Sequence, residues 1–74
     1  MSAQQPAHEI RLGRIKATIW ENVTENGKRY NVTLSRLYRD EEEWKQTTSF
    51  GRDDLPLVAR VADIVHLWIY EQAG

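Results

Sequence analysis

Cysteine is absent from this 74-residue chain, so neither a disulfide framework nor a thiolate metal site can supplement its core. At this length the loss matters. A domain of 74 residues buries only about 60% of the surface its unfolded chain exposes, and with covalent staples excluded, dimerisation is the obvious remaining source of stabilisation. Long apolar runs are also missing. Nothing approaches the roughly 18 consecutive apolar residues of a membrane span, and the opening MSAQQPAHE has neither the basic start nor the apolar stretch of a secretory signal. A cytoplasmic protein with no membrane contact is expected. The Asn-x-Thr triplets that begin at Asn22 and Asn31 are then turn and strand residues, not glycosylation acceptors.

Enzyme signatures are equally scarce. The chain has no phosphate-cradling glycine loop, no nucleophile elbow and no paired histidines or cysteines at metal spacing. Its two histidines are isolated, His8 near the start and His66 in a C-terminal apolar segment, where a role in contacts or an interface outweighs a catalytic one. The acidic run from Asp40 to Glu43 lacks the spaced ligands and glycine of a calcium loop and reads as a solvated turn. No cofactor, metal or small-molecule substrate is expected, and catalysis has little to stand on.

What the chain does have is polarised charge. Residues 10–39 carry seven bases against two acids, and residues 40–74 carry three bases against eight acids, so a +5 half precedes a −5 half within a net charge of −1. Such a distribution either gives one face for a polyanion or satisfies itself by pairing between elements or subunits.

Residues 1–8 are polar, contain Pro6 and show no period, so they are expected to form a disordered tail ahead of a single domain over 9–74. From Arg14 the pattern alternates, with Ile15, Ala17 and Ile19 on one side and Arg14, Lys16, Thr18 and Trp20 on the other, a half-buried strand. Ile10 and Leu12 have the opposite parity, and Gly13 suits a bulge or bend, so residues 9–20 form one bent strand or two short ones. Asn26-Gly27 predicts a type I′ hairpin turn. A second strand follows, with Tyr30, Val32 and Leu34 alternating with Arg29, Asn31, Thr33 and Ser35, and residues 44–50 predict a third in which Trp44, Gln46, Thr48 and Phe50 share a side. Asp53 or Asp54 then caps a helix to about Gln72, with Pro56 in its first turn. Leu57, Val58, Val61, Ile64, Val65 and Trp68 fall within one arc of that helix. The expected fold is α+β: a three- to four-stranded curved antiparallel sheet followed by one C-terminal helix.

Leu55, Ala62 and Ile69 lie beside that arc, and His66 borders it. An apolar stripe this wide exceeds what one side of a small sheet needs, which predicts a homodimer through Leu55, Ala62, His66 and Ile69. One helix also covers only one side of a sheet. On the other side Arg14, Lys16, Thr18 and Trp20 should lie near Arg29, Asn31, Thr33 and Ser35. Cations there can neutralise phosphates, hydroxyls and amides can bond backbone or base edges, and an indole can stack on an unpaired base, which are the elements of single-stranded DNA or RNA recognition. The competing readings are a merely solvated face with Trp20 folded over its neighbour, and a protein-interaction module in which this face or an unpaired edge strand meets another chain.

The order of elements, and in particular the stretch RLYRDEEEWKQTTSFGRDDLPLVARVADIV, resembles the single-strand DNA-binding domain of the transcriptional coactivator positive cofactor four and its small bacterial relatives. The resemblance spans about residues 14–68. It implies a dimer with paired helices whose sheets bind unpaired DNA through Arg14, Lys16 and Trp20 on the first matching strand, Arg29, Arg36 and Tyr38 on the second and Lys45 on the third, with Trp44 a further stacking group. The chain is also similar to a group of short bacterial proteins with comparable KATIW, SRLY and SFGRDDL segments, which brings no activity with it.

Overall fold

The structure, a computed structural model, describes residues 4–73. Four strands precede one helix: β1 Gln4–Leu12, β2 Ile15–Thr24, β3 Gly27–Asp40, β4 Glu43–Thr47, a 3-10 turn Arg52–Asp54, and α1 Leu55–Ala73. The strands form one antiparallel sheet in sequence order, β1-β2-β3-β4, with the helix following. This is the α+β arrangement expected from the alternation and the helical arc.

Each connection has a local cause. Between β1 and β2 the reversal is a two-residue turn at Gly13–Arg14, with Gly13 at φ 61 and Leu12 paired to Ile15. A left-handed first turn position is what a type II′ hairpin asks for, and glycine meets it without a Cβ clash. Gly13 therefore separates two strands, which settles the choice between one bent strand and two. At the next hairpin only Gly27 goes left-handed (φ 117), while Asn26 does not. The type I′ turn expected at Asn26-Gly27 is replaced by a turn at Glu25–Asn26 followed by glycine in a bulge-like position, fastened where the Thr24 hydroxyl donates to the Gly27 carbonyl at 2.8 Å.

Residues 4–8, expected in a disordered tail, belong to β1 and pair with β2, while residues 1–3 lie outside the described residues. The register shifts between Pro6 and His8. That bulge breaks the period of two where the sequence showed none, and proline is tolerated because β1 is an edge strand. Residues 44–50 also differ from expectation. β4 stops at Thr47, whose hydroxyl accepts the Ser49 N–H at 3.1 Å, a local bond that competes with the ladder. Phe50 then turns under the sheet and joins the core, on the opposite side from Trp44.

The helix is about 28 Å long at 1.5 Å per residue and lies over β2 and β1. Ile15, Ala17 and Ile19 of β2 are fully buried against Val61 and Val65, with Ile10, Leu12, Tyr30, Leu34, Leu57, Val58 and Trp68 packed around them. At its far end Trp68 sits between two strands, stacked on His8 at 4.9 Å and meeting Tyr30 edge-on at 6.0 Å, arrangements that each add about 1 kcal/mol beyond burial. His8 is thus part of the helix-facing layer. The molecule is elongated, 45 × 25 × 15 Å, with a radius of gyration of 14.0 Å, against about 11 Å for a compact chain of this length. Among the described residues, no helix is long and apolar enough to cross a membrane.

Candidate nucleic-acid interface

The ladders assign every strand residue to a face. Ile15 lies opposite Arg36, Ala17 opposite Leu34 and Ile19 opposite Val32, so the side buried by the helix includes Tyr30, Val32, Leu34, Arg36 and, by parity, Tyr38. The opposite side carries Lys16, Thr18, Trp20 and Asn22 of β2, set against Ser35, Thr33, Asn31 and Arg29 of β3. Arg11 stands beside Lys16 on β1, and Arg39 beside Trp44 at the β3–β4 end. No element of the described chain covers this outer side.

Its charge is one-sided. Arg11, Lys16, Arg29 and Arg39 face outward with Glu9 as the acid among the paired strand residues, and Arg14 stands in the adjoining turn. Among the described residues the ion pairs are Lys28–Glu21 at 3.6 Å, Arg36–Asp54 at 3.3 Å and Lys45–Asp40 at 3.0 Å. None of them uses an outer-face cation. The basic half of the sequence is thus sorted further: among the described residues, cations of one parity have acidic partners, and those of the other have none.

Two shallow depressions divide the outer side. One is lined by Lys16, Thr18, Trp20, Thr33, Ser35 and Gln46. Here the Trp20 indole N–H donates to the Thr33 hydroxyl at 3.0 Å, and the Ser35 hydroxyl donates to the Gln46 amide oxygen at 3.1 Å. Trp20 is half-buried and reaches toward β3. The second depression, at the β3–β4 end, gathers Arg11, Arg14, Tyr38, Arg39 and Trp44 beside Gly13. Trp44 is 66% exposed, so its ring is the open stacking platform. From Arg29 to Arg39 the strand rise of about 3.3 Å per residue gives roughly 33 Å of face, long enough for several nucleotides of a single strand.

The eight residues named as contacts are therefore brought together only in part. Lys16 and Trp20 share the first depression, Arg14 and Trp44 share the second, Tyr38 borders the second although its ladder parity is that of the helix side, and Arg29 lies on the outer side near the β2–β3 turn. Arg36 and Lys45 do not join them. Arg36 faces the helix side and pairs with Asp54, and Lys45, of the same parity as Tyr38, is held by Asp40. Arg11 and Arg39 were missed by sequence reasoning. Parity carries the signal for both: Arg39 continues the series Arg29, Asn31, Thr33, Ser35, and Arg11 follows once Gly13 is read as a hairpin turn.

The four helix residues named for a dimer interface also divide. Ala62 and His66 are exposed and line an apolar groove with Val32, Leu34 and Val65. Leu55 is 54% exposed at the start of the helix. Ile69 packs against the chain's own core, because the helix lies over β1 and β2 and turns that flank inward.

No protein-family model, curated protein or solved structure matches the chain. The resemblance to the positive cofactor four domain rests on the residues quoted for it.

Proposed function

We propose that the chain is a non-enzymatic, cytoplasmic single-stranded nucleic-acid-binding domain that works as a homodimer and reads DNA or RNA without strong sequence preference. The supporting observation is the sorting of charge by strand parity: four cations without acidic partners among the described residues share a sheet face that no described element covers, together with an exposed indole. Phosphates are neutralised by Arg11, Lys16, Arg29 and Arg39, with Arg14 at the turn, and a base stacks on Trp44. Hydroxyl and amide groups of Thr18, Asn31, Thr33 and Gln46 supply sequence-tolerant hydrogen bonds.

Arg36 and Lys45, implied as contacts by the resemblance, have no part in this reading because both have the helix-side parity, with Arg36 paired to Asp54 and Lys45 to the surface carboxylate of Asp40. A titration of a fluorescent oligothymidylate tests it. Binding at micromolar protein in low salt is expected, with log affinity falling against log salt at a slope of about −3.5, about −0.7 for each of five phosphate contacts. Absence of binding at low salt, or a salt-independent affinity, contradicts it.

A further inference from the structure

β3 uses only part of one edge. β2 pairs with it from Gly27 to Arg36 along one side, whereas β4 pairs with it only from Arg36 to Asp40 along the other. Residues 27–35 therefore have a strand neighbour on one side alone. The ladder alternation fixes which backbone groups are left over. A two-residue turn at Glu41–Glu42 makes Asp40 and Glu43 a mutually hydrogen-bonded pair, and alternation passes that orientation to every even-numbered residue of β3. The N–H and C=O groups of Lys28, Tyr30, Val32 and Leu34 thus point out of the open edge. A long edge without proline is a template for another strand. Beside it runs the apolar groove of Val32, Leu34, Ala62, Val65 and His66.

We infer that this edge pairs with the same edge of a second copy of the chain, antiparallel and centred on Asn31, joining two four-stranded sheets into one of eight strands. Asn31 is the midpoint of residues 27–35, so a twofold axis through it uses the whole open stretch. A slide in one direction drives the Glu25–Asn26 turn into the partner's β4, and a slide in the other leaves backbone groups unpaired. In the centred register Tyr30 stands opposite the partner's Val32, an aromatic to β-branched pair of the kind that stabilises sheets. Lys28 stands opposite the partner's Leu34 and Arg29 opposite the partner's Thr33, so no like charges meet. Centring on Val32 instead sets Lys28 against the partner's Arg36, a cation already engaged by Asp54.

The fold also has a use for the added surface. Among the described residues five apolar side chains are buried, and the chain is more extended than a self-sufficient domain of its size. Pairing extends the apolar layer, with Val32, 38% exposed in the single chain, covered by the partner. It also sets two outer faces side by side. The inference deepens the homodimer part of the proposed function, and it is tested without nucleic acid, so its failure and the failure of the binding reading are separable.

Because the chain has no cysteine, one substitution introduces a unique thiol. Across the axis two copies of residue 31 form a non-hydrogen-bonded pair with Cα atoms about 4.5 Å apart, within disulfide reach. Two copies of residue 33 are roughly 13 Å apart. Mild oxidation of Asn31→Cys should give a covalent dimer, Thr33→Cys alone should not, and a mixture of Arg29→Cys with Thr33→Cys should cross-link. Sedimentation should give twice the monomer mass for the wild type, and Val32→Lys, which places a charge on the paired face, should raise the dissociation constant about tenfold or more with circular dichroism unchanged. A wild type that sediments as a monomer at 100 μM overturns the inference. So does a folded Asn31→Cys chain that fails to cross-link, or preferential cross-linking through Ala62→Cys.

Discussion

Arg36 Nη1 lies 3.3 Å from the Asp54 carboxylate, which is 6% exposed and also accepts the Gly51 N–H at 2.9 Å. One acidic side chain thereby ties the middle of β3 to the start of the helix and closes the 3-10 turn that leads into it. The pair fixes where the helix begins relative to the sheet. It also holds Arg36 on the helix side of the sheet, away from the outer face.

Replacing Arg36 by leucine leaves the Asp54 carboxylate beneath the sheet with the Gly51 N–H but without its cation. A loss of about 2 kcal/mol is expected, less than for a fully buried pair because the Arg36 side chain is 28% exposed. Urea denaturation measures it. Oligonucleotide affinity of the folded variant should stay within about twofold of wild type, whereas a contact role for Arg36 requires a loss at unchanged stability.

The turn between β3 and β4 carries a second stability prediction. Glu41 has φ 58, a left-handed conformation that costs a residue with a Cβ about 1 kcal/mol or more. Asparagine tolerates that region better, so Glu41→Asn should stabilise the chain by about 0.5 kcal/mol and raise the melting temperature by a few degrees. An unchanged or lowered midpoint contradicts the turn geometry.

Much of this architecture was legible from alternation. Ile15, Ala17 and Ile19 declared β2 and its buried side, and the arc through Val61 and Val65 declared the helix face. The errors have physical causes. β1 begins earlier than alternation predicts because a bulge between Pro6 and His8 erases the period of two, and β4 ends earlier because Phe50 is apolar for the core rather than for a strand. For the candidate site, parity and resemblance select different cations. Tyr30, Val32 and Leu34 already implied that Arg36 faces inward, while Arg11 and Arg39 became visible only once the Gly13 turn set β1 beside β2. No sequence pattern revealed that β4 is too short to cover β3, since that depends on where pairing stops.

Trp44 should dominate both accessibility and stacking. It is 66% exposed, whereas Trp20 is half-buried and bonded to Thr33, and Trp68 lies between His8 and Tyr30. Trp44→Phe should abolish most acrylamide-quenchable fluorescence, and bound oligonucleotide should protect the wild-type signal. Trp44→Ala should weaken binding by roughly 5- to 150-fold, the 1–3 kcal/mol of one stacked base, without a change in stability. Quenching that survives the phenylalanine substitution places the exposed indole elsewhere.

The central claim is that one face of the sheet, and not the charge of the chain as a whole, holds the nucleic acid. Comparing Lys16→Glu with Lys45→Glu tests this most directly, since each reverses one cation in an otherwise identical chain and only the parity differs. Oligothymidylate anisotropy in low salt should show a loss of tenfold or more for Lys16→Glu, from lost phosphate neutralisation and added repulsion, against a change of about twofold for Lys45→Glu. Equal losses, or a larger effect at Lys45, would contradict the assignment.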